Sequence, residues 1–168
     1  HDARLRCGDG RLNQILATCI HTQKLSAKDG YLDSSSREQQ QWIGDGRIQA
    51  VSSAYIFGEV KLWRRLLEQI GQSQDWLGSI FPRHPGRHEN VAPIPSYILC
   101  WIRSLWEHYW YTGDERMIRQ WWPNVTQAMR WFTAFENGAG LLENVPHWMY
   151  IDWGEAPRGP TVESSVDG

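Results

Sequence analysis

The sequence of 168 residues has few cysteines, little charge excess and no long apolar run. The three cysteines, Cys7, Cys19 and Cys100, are an odd number without close pairs, which excludes a disulfide framework and a zinc site built on cysteine. The formal net charge of −2, with both signs spread along the chain, argues against nucleic acid as a partner. No segment has the length of a membrane span or the pattern of a signal peptide. These absences leave neither nucleic acid nor membrane as a predicted partner and do not determine the cellular compartment.

Tryptophan is the residue type that stands out, with 11 in 168 residues. Its broad, rigid face fills helical cores and also packs against the apolar C–H face of a pyranose sugar. We therefore expect most of the tryptophans to lie in a core and two or three to line a pocket. Cys19 and Cys100 fall on apolar helical faces and are expected to be small buried hydrophobic residues.

Apolar residues recur at helical spacing, and five or six helices are predicted, with no strand before the C-terminal tail. The first helix is expected to begin after Asp9, as its N-cap, and to end near Lys28. The second is expected to follow Asp45 and to end at Gly58. Its predicted buried face comprises Ile48, Val51, Ala54 and Tyr55.

The third helix, predicted over 59–72, carries a clear apolar face formed by Leu62, Trp63, Leu66, Leu67 and Ile70. The fourth is expected to start at Ser96 and to stop at Thr112-Gly113. It is also expected to be buried on two sides, because Trp106 and Trp110 form a second aromatic row. A core histidine is the favoured interpretation of His108. A short helix over 114–122 is then expected, with Pro123 kinking or restarting the chain before a helix over 124–136.

The segment 73–95 contains four of the eight prolines and is predicted to be irregular. His84 and His88 are four residues apart, but the intervening Pro85 and Gly86 argue against a helix. The spacing of helical metal ligands therefore does not apply to them. We predict neither a metal nor another cofactor.

The most distinctive stretch is 33–45, which places three carboxylates, a guanidinium and an indole within thirteen residues. They are Asp33, Arg37, Glu38, Trp42 and Asp45. Arg37 and Glu38 are predicted to lie where an extended segment becomes a helix, and Glu38 and Trp42 would then share a helical face. Such a set suits acid–base chemistry on a sugar, although helix capping with solvated charge is the simpler structural interpretation.

Gly44 follows a large apolar pair, so the backbone is expected to approach another group closely or to turn sharply there. The stretch resembles the signature of the bacterial and fungal α-L-rhamnosidases, which reads roughly Asp-Cys-Pro-x-Arg-Glu-x-x-x-Trp-x-Gly-Asp. Here the spacing is unchanged, but Ser34-Ser35 stands in place of Cys-Pro. Two further segments, 110–114 and 150–155, are similar to segments of that family.

By this resemblance Glu38 is the general acid of an inverting glycoside hydrolase that removes terminal α-L-rhamnose from glycosides or polysaccharides. Asp33 and Asp45 would bind sugar hydroxyls, Arg37 would help to fix that array, and Trp42 would pack on the apolar side of the sugar. A second aromatic residue, Trp153, would face the rhamnose, although its segment also fits a hairpin edge with buried aromatics. Burial and the neighbouring aspartates are expected to raise the pKa of Glu38.

The family fold is all-α, with antiparallel helical hairpins that form an (α/α)6 barrel. Residues 1–168 are expected to be the first two to three hairpins of this catalytic domain, with an irregular tail at 157–168. The family's general base comes from a later region without a counterpart here, and Glu155 is the only acidic candidate. The predicted partners are therefore a rhamnose-containing carbohydrate and the rest of the catalytic domain.

Two alternatives remain open at this point. One is a six-hairpin glycosidase for another sugar. The other is a non-catalytic helical module that binds carbohydrate or acts as a scaffold.

Overall fold

A computed structural model describes residues 6–86 and 91–149. This part of the chain contains five α-helices and no named β-strand, so the all-α prediction is confirmed. The helices are α1 (Gly10–Ser26), α2 (Ile43–Phe57), α3 (Lys61–Gln72), α4 (Pro95–Thr112) and α5 (Arg116–Thr133).

The helices are arranged in two rows. Helix α2 packs beside α4, and α3 packs beside α5 while also contacting α2 and α4. The chain therefore alternates between the rows, as consecutive hairpin helices do. Among the described helices, α1 contacts only α2.

The core lies between the two rows and is dominated by α3 and α4. The face of α3 predicted from its apolar spacing is buried at Trp63, Leu66, Leu67 and Ile70. Two buried indoles also have polar partners: Trp63 Nε1 donates to Ser104 Oγ at 2.9 Å, and Trp101 Nε1 donates to the Leu67 carbonyl at 3.0 Å. A buried indole needs such a partner for its N–H, so these bonds fix how α4 sits on α3.

The predicted buried face of α2 is wrong at Ile48 and Tyr55, whereas Val51 and Ala54 are partly buried against the core. Ile48 and Tyr55 are 63% and 66% exposed, whereas the small residues Gly46, Ala50 and Ser53 are buried. A Cβ atom at Gly46 would lie 3.0 Å from both terminal methyl carbons of Leu66. Close approach of α2 to α3 therefore requires a small residue at Gly46, and Ile48 and Tyr55 lie outside this contact.

Helix α1 begins where predicted, because the Asp9 side chain accepts hydrogen bonds from the backbone N–H groups of Arg11 and Leu12. It ends at Ser26, which is also its only buried residue. Its apolar stripe is largely exposed. Cys19 is exposed and Cys100 is half-buried, so the expectation of two buried cysteines is wrong for Cys19.

The expectation that most tryptophans fill the core is also wrong. Of the ten tryptophans in the described part of the chain, four are buried: Trp63, Trp101, Trp121 and Trp131. On α4, Trp106 is 50% exposed and Trp110 is 70% exposed, so this helix is not buried on two sides. The second aromatic row has no counterpart to pack against among the described residues.

Two further expectations concern the ends of α4 and α5. Helix α4 ends at Thr112, and Gly113, with a left-handed backbone (φ 68°), is its C-cap. Helix α5 continues through Pro123 without a break, so the two predicted helices are one. The predicted core position of His108 is confirmed: it is 1% exposed and meets the Trp63 ring edge-to-face at 5.6 Å.

No helix in residues 6–86 and 91–149 combines the length and apolar character needed to cross a membrane.

Candidate active site

The loop between α1 and α2 is held in place by a buried glutamine, Gln41, which is 3% exposed. Its Oε1 accepts a hydrogen bond from the Tyr31 N–H at 3.2 Å. Its Nε2 donates to Gln69 Oε1 at 2.9 Å and to the His84 carbonyl at 2.7 Å. One side chain thus joins both ends of the loop to α3 and to the irregular segment after it.

Asp33 and Gln40 close the loop that contains the predicted catalytic residue. The Asp33 N–H donates to the Gln40 carbonyl at 3.0 Å, and the Gln40 N–H donates to Asp33 Oδ1 at 2.8 Å. Inside this closed loop the Glu38 N–H donates to Ser34 Oγ at 3.2 Å. Ser34, which replaces the cysteine of the family pattern, therefore supplies a hydroxyl that holds the Glu38 backbone.

Arg37 and Glu38 do not lie at a helix start, contrary to the prediction. Helix α2 begins at Ile43, and the preceding residues form an irregular loop. The local hydrogen bonds of serine, aspartate and glutamine side chains compete with helix formation in such a stretch.

Glu38 and Trp42 are nevertheless in contact. The Trp42 Nε1–H donates to Glu38 Oε2 at 3.1 Å, and Arg37 Nη2 donates to Glu38 Oε1 at 2.9 Å. The Glu38 side chain is 40% exposed. The hydrogen bond from Arg37, followed by that from Trp42, lowers the pKa of Glu38. The expectation of a raised pKa is wrong, because hydrogen bonds to the carboxylate outweigh burial at this exposed position.

Trp42 is positioned by residues that the sequence pattern did not reveal. The Arg83 guanidinium lies 5.2 Å from the centre of the Trp42 ring, and Tyr97 meets the indole edge-to-face at 6.2 Å. Just after Trp42, the Ile43 N–H donates to the Pro82 carbonyl at 2.9 Å. Arg83 comes from an irregular segment without periodicity, so no local signal connects it to the tryptophan.

Gly44 lies where the backbone approaches an aromatic ring, as its sequence context predicts. A Cβ atom at this position would be 2.7 Å from Tyr97 Cζ and 2.8 Å from Tyr97 Oη. The absence of a side chain therefore lets Tyr97 reach Trp42 across the first turn of α2.

Asp45 lies in the first turn of α2 and is half-buried. Burial raises its pKa, and the charges of Asp33 and Glu38 raise it further, while its own backbone N–H acts in the opposite direction. This pattern indicates that the three carboxylates are near one another. Asp45, rather than Glu38, is the one whose neutral form the surroundings favour.

The structure thus brings together five of the six residues predicted from the sequence. The Arg37 side chain is 85% exposed, and its contact with the other four residues is the ion pair with Glu38. Trp153, like Glu155 and His88, lies outside the described residues, so its predicted role stays a prediction. Among the described residues, no three His, Cys, Asp or Glu side chains form a group that could hold a metal ion.

The fold and site define a helical-hairpin protein with a carboxylate cluster at the start of one helix. The family model for the bacterial alpha-L-rhamnosidase 6 hairpin glycosidase domain matches residues 1–167. The chain therefore belongs to this family. No curated protein is a detectable relative by sequence.

Solved structures agree with this assignment. The chain is similar to the GH78 family rhamnosidase of Bacillus sp. GL1, with 30% identity, a TM-score of 0.75, and 88% of this chain and 16% of that chain covered. It shares the fold of a Klebsiella oxytoca rhamnosidase solved with rhamnose bound (20% identity, TM-score 0.78, 90% and 30% covered). It also shares the fold of the alpha-L-rhamnosidase of Dictyoglumus thermophilum, with 20% identity, a TM-score of 0.70, and 77% of this chain and 15% of that chain covered. The chain spans less than a third of each of these proteins.

Proposed function

We propose that the chain forms part of the active site of an inverting α-L-rhamnosidase that removes terminal α-L-rhamnose from glycosides or polysaccharides. The observation that carries this proposal is the contact of Glu38 with the Trp42 indole, beside the half-buried Asp45. A carboxyl group at the edge of an indole places a proton donor beside a ring whose face can pack against a sugar. The family membership supports the same chemistry.

In the proposed mechanism Glu38 protonates the leaving oxygen. An inverting enzyme places its acid and base about 6.5–9.5 Å apart, so that a water molecule fits opposite the leaving group. Because its pKa is lowered in the free chain, Glu38 has to take up a proton as the sugar binds. A bound sugar would exclude water from the 40%-exposed carboxylate, and this desolvation favours the neutral acid.

The neighbouring residues would select and orient the sugar. Asp33 Oδ1 already accepts the Gln40 N–H, so Oδ2 is the oxygen that we assign to a sugar hydroxyl. Asp45 would bind a second hydroxyl, and Arg37 would hold the Glu38 carboxylate. The Trp42 face suits the methyl group of a 6-deoxy sugar better than a hydroxymethyl group, because an indole face offers no hydrogen-bond acceptor for a hydroxyl.

We further propose that the general base lies in another part of the catalytic domain. The carboxylates near Glu38, those of Asp33 and Asp45, are assigned to sugar hydroxyls, and Glu155 remains the one candidate in this chain. The isolated chain is therefore expected to show little or no hydrolysis of an aryl α-L-rhamnoside. Full turnover that is abolished by Glu38→Gln would contradict the assignment of the base elsewhere.

A non-catalytic sugar-binding role is the second candidate, and the exposure and lowered pKa of Glu38 favour it. Calorimetry with L-rhamnose separates the two roles when it is combined with turnover in a chain that contains the missing base. In a non-catalytic binder, Glu38→Gln should weaken sugar binding only modestly. In an enzyme, the same substitution should lower turnover by orders of magnitude. A variant that keeps full turnover would refute the acid role of Glu38.

Sugar identity is tested separately by comparing L-rhamnose with L-mannose, which has a hydroxymethyl group where L-rhamnose has its methyl group. Trp42→Ala should weaken L-rhamnose binding, and wild type should bind L-mannose less tightly. Equal binding of both sugars would favour a six-hairpin glycosidase for another substrate.

A further inference from the structure

A second concave site lies away from the carboxylate cluster, where the ends of α1 and α2 meet the start of α3. It is a pocket of about 510 Å³. It is lined by Lys24, Ala27, Lys28, Ser53, Phe57, Glu59, Lys61, Leu62 and Arg65. The chain has only three lysines, and all three line this one pocket.

The charge of the pocket is strongly positive. Its four basic side chains, those of Lys24, Lys28, Lys61 and Arg65, are exposed. Within residues 6–86 and 91–149, none of them forms an ion pair, although six other arginines do. Uncompensated cations that converge on a concave surface raise the local concentration of anions.

Glu59 is the single carboxylate in the lining, and it is already engaged. Its Oε1 accepts hydrogen bonds from the backbone N–H groups of Lys61 at 2.6 Å and Leu62 at 3.2 Å. It therefore caps the start of α3 and is not paired with the lysine side chains. Four cations against one capping carboxylate leave a net positive lining.

The remaining lining is mostly apolar and comprises Ala27, Ser53, Phe57 and Leu62. Phe57 lies beneath Lys24, whose Nζ is 5.5 Å from the ring centre.

We propose that this pocket binds a small organic phosphate. Lysine is a point-charge donor that suits a phosphate dianion. The volume exceeds that of the phosphate group alone and falls within the usual range for small-molecule sites, roughly 300–1,000 Å³. The apolar wall formed by Ala27, Phe57 and Leu62 would contact the organic part of the ligand.

This site is separate from the proposed sugar site. Ser53 lies roughly 12 Å along α2 from Asp45, at 1.5 Å rise per residue. Phosphate binding is therefore independent of the proposed hydrolase activity, and failure of either proposal leaves the other intact.

The lysine count allows a direct test. In the full chain labelled selectively with 13C-lysine, three side-chain signals report on this pocket and on nothing else. Titration with glycerol 3-phosphate should shift these signals saturably. Inorganic phosphate should shift them with weaker affinity, because it leaves the apolar wall uncovered, and glycerol or L-rhamnose should not shift them. Equal affinity for both phosphates would show that the pocket binds the free anion only and would overturn the organic-ligand assignment.

The matched variants are Lys28→Gln/Lys61→Gln and, as a control with the same loss of charge, Arg11→Gln/Arg130→Gln. Both Arg11 and Arg130 are exposed and distant in sequence from the pocket lining. Calorimetry with glycerol 3-phosphate should show at least tenfold weaker binding for the lysine pair and less than twofold for the control. Thermal unfolding of each variant confirms that it folds. Equal weakening by both pairs, or no saturable binding by wild type, would overturn the site.

Discussion

Gly44→Ala tests whether the close approach of Tyr97 positions the candidate active site. The added methyl group would lie 2.7 Å from Tyr97 Cζ, closer than carbon atoms pack. The ring is half-buried and has to move, and it is the ring that meets Trp42 edge-to-face. Because the Trp42 indole donates to Glu38, displacement of Tyr97 also disturbs the carboxylate.

The expected loss of stability follows from three contributions. Overpacking costs about 1–3 kcal/mol, and loss of the aromatic contact with Trp42 accounts for about 0.5–1.5 kcal/mol of that range. Alanine in a helix is favoured over glycine by up to about 1 kcal/mol, and less in the first turn. The net destabilisation should be roughly 0.5–2 kcal/mol.

Urea unfolding measures this difference directly. Gly10→Ala is the matched control, because Gly10 also lies in the first turn of a helix and has no atom within 4 Å of the added methyl group. It should be neutral or slightly stabilising. In a Tyr97→Ala background the loss caused by Gly44→Ala should disappear. An unchanged midpoint for Gly44→Ala, or a loss that persists without the ring, would refute the steric account.

Three further predictions concern single side chains. Glu107→Ala should destabilise the chain by about 1–3 kcal/mol in urea unfolding, because it leaves the partly buried Arg47 without its two-bond partner. Burial lowers the pKa of His108 below its unfolded value, so the free energy of unfolding should fall as pH falls below about 6.5. His108→Phe should reduce this slope. Trp42→Phe should raise the pKa of Glu38, measured by NMR titration of 13C-labelled glutamate, because the indole donor is lost.

Each has an outcome that contradicts it. Glu107→Gln keeps two polar atoms but loses the charge, so it should cost less than Glu107→Ala; an unchanged free energy of unfolding in Glu107→Ala would mean that the ion pair with Arg47 contributes nothing. An unchanged pH slope in His108→Phe would assign the slope to other groups. A Glu38 pKa that stays the same in Trp42→Phe would mean that the indole bond does not form in solution.

The helices could be predicted because their signals are local. Periodic apolar residues and the caps at Asp9, Gly58 and Gly113 mark helix existence and ends, and these agree with the structure to within about two residues. Which face of α2 is buried could not be predicted in the same way. It depends on how close α2 comes to Leu66 of α3, so small residues rather than large ones line the contact. The continuation of α5 through Pro123 likewise reflects tertiary packing rather than local propensity.

The sequence predicted the contact of Glu38 with Trp42 for a reason that does not hold. The four-residue spacing implied a shared helical face, but Glu38 lies in a loop before α2 and meets Trp42 through the indole hydrogen bond. The direction in which the pKa of Glu38 shifts depends on the exposure of its side chain and on the orientation of Arg37, and a sequence specifies neither. The contribution of Arg83 depended on where an irregular segment runs.

The sparse attachment of α1 has a consequence for how the chain opens. A helix of 17 residues that buries only Ser26 and contacts one neighbour has little beyond its own backbone bonds to hold it. Its amides should exchange with deuterium far sooner than those of α3 and α4, without the rest of the chain coming apart. Since the Leu32 N–H donates to the Ser26 carbonyl at 2.9 Å, such fraying would spread into the first residues of the loop that carries Glu38.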